Sequence, residues 1–252
     1  MGSNGLYNQN QVIANVNSRL NNAVSFFGTY TFNRALSNTD GLTTVPANPY
    51  NFAGEYAPAI TDIRNSVVVG GSYERWKFRI APMRTLHSGP PFDITTGSDI
   101  YGDTLFNARP GIATDPNKPG LIRTTYGVLD PNPAPDEPTL SRNYGRGPGY
   151  ILLNLRLTKL IEFGGHSGKS ASAVGSSGRT SGTSERNRYT VSLSASLRNL
   201  LNHNNPGPIV GNIASPLFGR ANQSYGATGL GGTGFLESAN NRRLELQAKF
   251  IF

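Results

Sequence analysis

The sequence predicts an all-β fold, part of an antiparallel transmembrane β-barrel with about seven long strands, and three observations predict it. Apolar and polar residues alternate over long stretches, one set on each face of a strand, whereas helical spacing is nowhere sustained. Most of these stretches run ten residues or more; a tilted strand needs ~9–11 to cross a bilayer, and sandwich strands usually run ~5–6. Short links on one rim alternate with long ones on the other, the layout of periplasmic turns and surface loops.

Taken in order, residues 8–20 set Val12, Ala14, Val16 and Leu20 against Asn15, Asn17 and Arg19. Residues 22–34 set Val24, Phe26, Gly28, Tyr30 and Phe32 against Ser25, Thr29, Thr31 and Asn33. Residues 64–73 offer Val67, Val69, Gly71 and Tyr73, and 76–87 begin with Trp76, Phe78 and Ile80 against Lys77 and Arg79. The 150–163 segment places Ile151, Leu153, Leu155, Leu157, Ile161 and Phe163 opposite Asn154, Arg156, Thr158 and Glu162, with Lys159 the one charge on the apolar side, where a lysine can snorkel. Tyr189, Val191, Leu193, Ala195 and Leu197 face away from Arg188, Thr190, Ser192, Ser194, Ser196 and Arg198. The last segment has Leu244, Leu246, Ala248, Phe250 and Phe252 against Arg243, Glu245, Gln247 and Lys249.

Such two-faced strands suit lipid outside and water inside. A soluble antiparallel sheet with one wet face gives the same alternation, so the aromatics matter. Tyr7, Tyr30, Phe32, Tyr73, Trp76, Tyr150, Phe163, Tyr189, Phe250 and Phe252 lie toward strand ends, as interfacial girdles do. Among the links, Asn21-Asn22 and Glu74-Arg75 read as two-residue turns, whereas 36–63 (28 residues), 88–149 (62) and 203–240 (38) are long. The link at 164–186, on the short side, is rich in Ser and Gly and reads as a flexible insertion, or else as a linker between two domains. Seven strands fall below the ~8 of the smallest usual barrel, so the chain reads as the terminal part of a larger one.

Composition excludes several classes. Gly (30) and Pro (17) are abundant, Asn adds 26 positions, and charged residues are only 15%, which leaves little room for long helices. Zero Cys removes disulfides and thiolate chemistry. The apolar runs Val67-Val68-Val69 and Tyr150-Ile151-Leu152-Leu153 are far below the ~20 residues of a spanning helix. Met1-Gly2-Ser3-Asn4-Gly5 has neither a charged n-region nor an apolar h-region, so no signal peptide is expected and an exported chain would be mature or truncated. The net charge of +8 is spread along strands and loops without a compact patch, which favours anionic headgroups over nucleic acid as its counterpart.

Several short motifs, taken in order, carry a family resemblance from about Tyr7 onward: Tyr30-Thr31-Phe32 leading to Asp40-Gly41, Thr61-Asp62-Ile63-Arg64, Ser88-Gly89-Pro90-Pro91-Phe92 and Thr95-Thr96-Gly97. Further along stand Arg142-Asn143-Tyr144-Gly145-Arg146-Gly147-Pro148-Gly149-Tyr150, Leu155-Arg156-Leu157-Thr158-Lys159, Arg198-Asn199-Leu200-Leu201-Asn202-His203-Asn204 and Ser215-Pro216-Leu217-Phe218-Gly219. The sequence resembles the C-terminal barrel segment of TonB-dependent outer-membrane receptors, of the Oar-like group. Its finish, with Leu244, Leu246, Phe250 and the terminal Phe252, resembles the signal by which the barrel-assembly machinery takes up outer-membrane barrels. The resemblance implies a barrel of twenty-two strands, a plug, a TonB-contacting segment and uptake of a scarce ligand at the bacterial outer membrane. Plug, TonB box and about two thirds of that barrel have no counterpart here, so transport by this chain alone is not expected, and 164–186 departs from the family's short turns.

No catalytic constellation is legible, and neither an enzyme nor a cofactor is expected. His87, His166 and His203 are isolated, without metal-ligand spacing. The glycines at 226, 229, 231, 232 and 234 lack the Lys-Ser/Thr of a phosphate loop, and no GxSxG occurs. Asp130, Asp136 and Glu137 lack the register of a Ca²⁺ loop and read as an acidic surface stretch, so no metal is expected. Lys77, Arg79, Arg156, Arg188, Arg198 and Arg243 fall on the inward face as a basic stripe for anionic solutes or plug carboxylates, or simply as a hydrated wall. The reading that results is a receptor barrel segment; a soluble β-rich binding or adhesion module and a passive porin-like pore are the other two classes that fit.

Overall fold

A computed structural model of the chain describes residues 5–41, 44–52, 54–164, 189–223 and 241–251. The two-residue period appears as seven long strands: β1 (Tyr7–Arg19), β2 (Val24–Ser37), β3 (Asn65–Arg75), β4 (Phe78–His87), β5 (Tyr150–Phe163), β6 (Tyr189–Arg198) and β7 (Arg243–Ile251). Each is hydrogen-bonded to the next in sequence, and every pairing is antiparallel. Among the described residues there is no α-helix, and β1 and β7 each leave one edge unpaired. The sheet is therefore open as described.

Register holds the two faces apart across the whole sheet. Val24, Tyr73, Ile80, Leu157, Ala195 and Leu246 stand on one continuous rung. The neighbouring rung, on the opposite face, is Glu74, Arg79, Thr158, Ser194 and Gln247. Large apolar side chains of the first face, among them Phe26, Tyr30, Leu193 and Leu246, are exposed, and no second layer covers them among the described residues. A soluble sandwich would bury that face against another sheet. Four charges sit on it among the described residues: Arg34 and Arg75 toward the ends of β2 and β3, Arg84, flanked by Val69 and Leu153, and Lys159, whose Nζ reaches the Trp76 carbonyl at 3.0 Å. Tyr73, Phe163, Tyr189 and Phe250 lie near strand ends on the apolar face, and Tyr189 stacks on Phe163 and Phe250 at 5.7 and 5.8 Å. Tyr7 and Tyr150 instead share the polar face with Ser37 and His87.

The turn between β3 and β4 differs from expectation. It is Trp76-Lys77, not Glu74-Arg75, and both residues are left-handed, with φ of 52° and 59°. Two positive φ angles in succession usually call for Asn-Gly, so neither residue signals the turn. Contacts with β5 hold it: Leu160 N–H donates to the Lys77 carbonyl at 2.9 Å, and Lys77 pairs with Glu162 at 2.7 Å. At the β1–β2 turn, Asn21 Oδ1 accepts the N–H groups of Ala23 and Val24 at 2.8 and 2.9 Å. The remaining short-side link, 164–186, lies outside the described residues except for Gly164.

The described parts of the long links pack into a cap at the other rim. Ala57–Pro58 extends the end of β2, Pro91–Phe92 pairs with Gly145–Arg146, and Gly111–Ile112, Ile122–Thr124 and Gly127–Asp130 form a small three-stranded sheet. Ile94, Leu129, Leu140 and Ile213 make a buried cluster there, flanked by Phe92, Ile122, Tyr126 and Phe218. Among the described residues the buried apolar cluster lies in this cap, not against the wall.

Candidate functional site

Three ion-paired knots tie the cap together, and each joins segments far apart in sequence. In the first, Arg109 donates from Nη1 and Nη2 to the two oxygens of Glu55, both at 2.8 Å, and from Nε to Asp93 at 3.3 Å. Glu55 Oε1 also accepts the N–H of Ala47 at 2.9 Å. Guanidinium and carboxylate are both buried, so the bidentate fork replaces the water that each has lost. Burial pushes the Asp93 carboxyl above its ordinary pKa against the pull of Arg109.

The second knot uses Asp62, which is wholly buried. Its Oδ1 accepts the Ala35 N–H at 2.8 Å, and its Oδ2 meets Arg64 Nε at 3.3 Å and pairs closely with Arg146. Arg146 also donates to the Asp62 carbonyl at 2.6 Å. Burial alone would raise this carboxyl, but Arg146 and the Ala35 amide outweigh it and hold the pKa below the ordinary value. In the third, Arg142 donates to the Ser37 carbonyl and lies 3.1 Å from Asp40, while Asn143 Nδ2 donates to Asp40 and to the Pro58 carbonyl, both at 2.9 Å. The Asn143 N–H completes the circuit to Asp93 at 3.2 Å.

Together these contacts fasten 38–64 to 88–149 at the end of β2. A cavity of about 620 Å³ between the 47–55, 100–109 and 133–139 segments has Arg109 and Glu55 in its wall. These contacts hold loop segments in place relative to one another. Among the described residues no group of three His, Asp or Glu side chains forms a metal cluster. Asp130 and Glu137 converge instead on the Lys118 ammonium, which also donates to the Asn132 carbonyl at 3.0 Å, so a lysine stands where a cation would. Asp136 is exposed and outside that group. His87 stacks on Tyr150 at 4.7 Å, His203 takes part through its backbone with Asn199, and His166 and the glycines from 226 to 234 lie outside the described residues.

The basic stripe is distributed as follows. Arg79, Arg156, Arg198 and Arg243 share the polar face, whereas Lys77 is in the turn below it and Arg188 lies outside the described residues. Arg156 donates to Gln247 at 3.2 Å, Arg198 and Arg243 reach Glu245 at 3.3 and 3.2 Å, and Arg79 stands opposite Glu74. The wall is thus laced with compensating partners. A groove of about 410 Å³ runs over it between Ser25, Arg79, Asn154 and Arg198. Leu244, Leu246 and Phe250 occupy the apolar face of β7, and Phe252 lies outside the described residues.

Sequence reasoning picked out Asp40, Asp62, Arg142, Asn143 and Arg146 only as motif letters, and missed Glu55, Asp93 and Arg109 as partners. Arg109 and Glu55 are 54 residues apart, and no spacing rule links them. A family model described as an outer membrane beta barrel domain matches residues 1–170, about two thirds of the chain and the span of β1 to β5. No curated protein and no solved structure matches the chain.

Proposed function

The chain belongs to the outer membrane β-barrel domain family, and from that premise we propose that it supplies wall strands and surface loops to a TonB-dependent receptor that binds and takes up a ligand. A bacterial outer-membrane location and a lipid surround follow from the family, and they account for an apolar face that nothing in the described chain covers. The observation that carries the receptor reading is the cap: two long links of one rim, 38–64 and 88–149, are fastened by three ionic knots into a fixed surface. A passive pore gains nothing from such a cap, whereas recognition needs groups held in place before the ligand arrives.

The unpaired edges of β1 and β7 support a larger barrel, because open ladders are costly in hydrocarbon. The missing neighbours in this reading are further strands and a plug, with β7 as the strand that the assembly machinery reads and TonB as the source of energy. No catalysis and no cofactor enter it. The test is retention of the complete parent polypeptide, solubilised from outer membranes, on the immobilised periplasmic domain of TonB. Specific retention is expected; its absence, with the protein folded and inserted, removes the receptor reading and leaves the barrel.

A further inference from the structure

On the flank of the cap an open-sided cavity of about 770 Å³ lies between the Pro91–Phe92 and Gly145–Arg146 pair and the 204–223 segment. Its floor is aromatic. Phe92 meets Tyr126 edge-on at 5.9 Å between ring centroids, Phe218 backs Tyr126 at 6.3 Å, and the Tyr126 hydroxyl donates to the Arg146 carbonyl at 3.4 Å. The wall carries two guanidinium groups, Arg146 and Arg220, with the amides of Asn204, Asn222 and Gln223, and no carboxylate lines it among the described residues.

The two arginines differ in a way that sets the sign of the site. Arg146 is fixed and balanced by Asp62. Arg220 is exposed, and its side chain has no ion-pair partner among the described residues, although its backbone is held by Leu217 and Val210 at 2.9 and 3.0 Å. One positive charge is therefore left over, above an apolar floor and beside hydrogen-bonding amides.

We propose that this cavity binds a small ring-bearing organic carboxylate, its anionic group toward Arg220 and the free edge of Arg146, its ring over Phe92 and Tyr126, and its hydroxyls on the amides. Charge-assisted bonds to guanidinium supply the preference for an anion, and the aromatic floor supplies the preference for a ring. The proposal deepens the receptor reading by naming its ligand class, but binding itself needs neither TonB nor a plug.

The test is equilibrium dialysis of the complete parent polypeptide, folded in detergent micelles, with p-nitrophenyl β-D-glucuronide and its uncharged counterpart p-nitrophenyl β-D-glucoside, which differ at the carboxylate. The glucuronide is expected to bind about tenfold more tightly or better. Arg220→Gln is expected to abolish that preference, while Arg19→Gln, the same charge change at the turn rim, leaves it intact. Equal affinities, no binding of either compound, or a preference that survives Arg220→Gln overturns the proposal. Failure of TonB retention with this binding intact removes the uptake reading alone; loss of binding with retention intact removes the ligand class alone.

Discussion

Replacing Arg109 with methionine tests whether the cap is held by buried charge. The Arg109 and Glu55 side chains are 5% and 3% exposed, joined by two 2.8 Å bonds. Methionine fills much of the volume but leaves Glu55 buried without its partner, a change that costs ~3–5 kcal/mol. At ~1.4 kcal/mol per tenfold, opening of the cap becomes roughly a hundred- to a few-thousand-fold more frequent. The Ala47 N–H, which donates to Glu55 at 2.9 Å, reports it directly through hydrogen exchange. Arg109→Met combined with Glu55→Met removes both charges, so its cost is expected to fall below the sum of the single changes by ~1–3 kcal/mol. Asp93 keeps the Asn143 N–H at 3.2 Å in either variant, and loss of Arg109 moves its carboxyl further in the direction in which burial already pushes it. The exposed rim pair Lys77–Glu162 is the comparison: Lys77→Met is expected to cost at most ~1 kcal/mol. An Ala47 exchange rate that rises less than about fivefold in Arg109→Met, against the ~3–5 kcal/mol worked above, refutes the reasoning.

Further outcomes follow from other contacts. Asp62 is held below its ordinary pKa, so the stability it contributes is present above the unfolded value of ~3.9 and is lost as pH falls through the lower folded value. Exchange at the Ala35 N–H, corrected for intrinsic rate, is therefore expected to stay slow at pH ~5 and to accelerate only below ~4; acceleration above ~5 contradicts the assignment. A Cβ at Gly211 would overlap the Asp93 carbonyl, where the Gly211 carbonyl accepts the Thr95 N–H at 2.9 Å. Gly211→Ala is expected to loosen the 205–223 segment by ~1–3 kcal/mol, seen as faster limited proteolysis of the cap with the strands intact. Leu193→Arg, at mid-strand on the apolar face, is expected to lower stability in lipid vesicles by ~2–4 kcal/mol, and Ser192→Arg, on the polar face, by much less; equal effects contradict the assignment of faces.

The wall was legible because a strand has only two faces, and lipid and water label them differently. Residues 150–163 read from alternation are β5 to the residue, and the other strands differ by one to three positions at their ends. The Trp76-Lys77 turn was not legible, since its left-handed backbone is maintained by Leu160, Glu162 and Lys159 from a strand more than eighty residues away. The cap was hidden for the same reason. Its Gly, Pro and Asn residues signal irregular chain, and nothing local shows that Arg142 meets Ser37 or that Arg146 meets Asp62, 105 and 84 residues distant. Alternation is a local record of a solvent boundary; buried ion pairs between loops leave no local record.

The orientation of the wall is the claim on which the rest depends, and because these 252 residues hold no cysteine, single cysteines placed in them measure it directly. Tyr50, 84% exposed, lies in the cap rim, and Trp76, 78% exposed, lies in the turn at the opposite rim. With Tyr50→Cys or Trp76→Cys in the parent protein, a membrane-impermeant maleimide applied to intact cells is expected to label position 50 and to reach position 76 only after the outer membrane is opened. Labelling of position 76 on intact cells, or of neither position until the cells are lysed, contradicts a barrel wall with its cap at the cell surface.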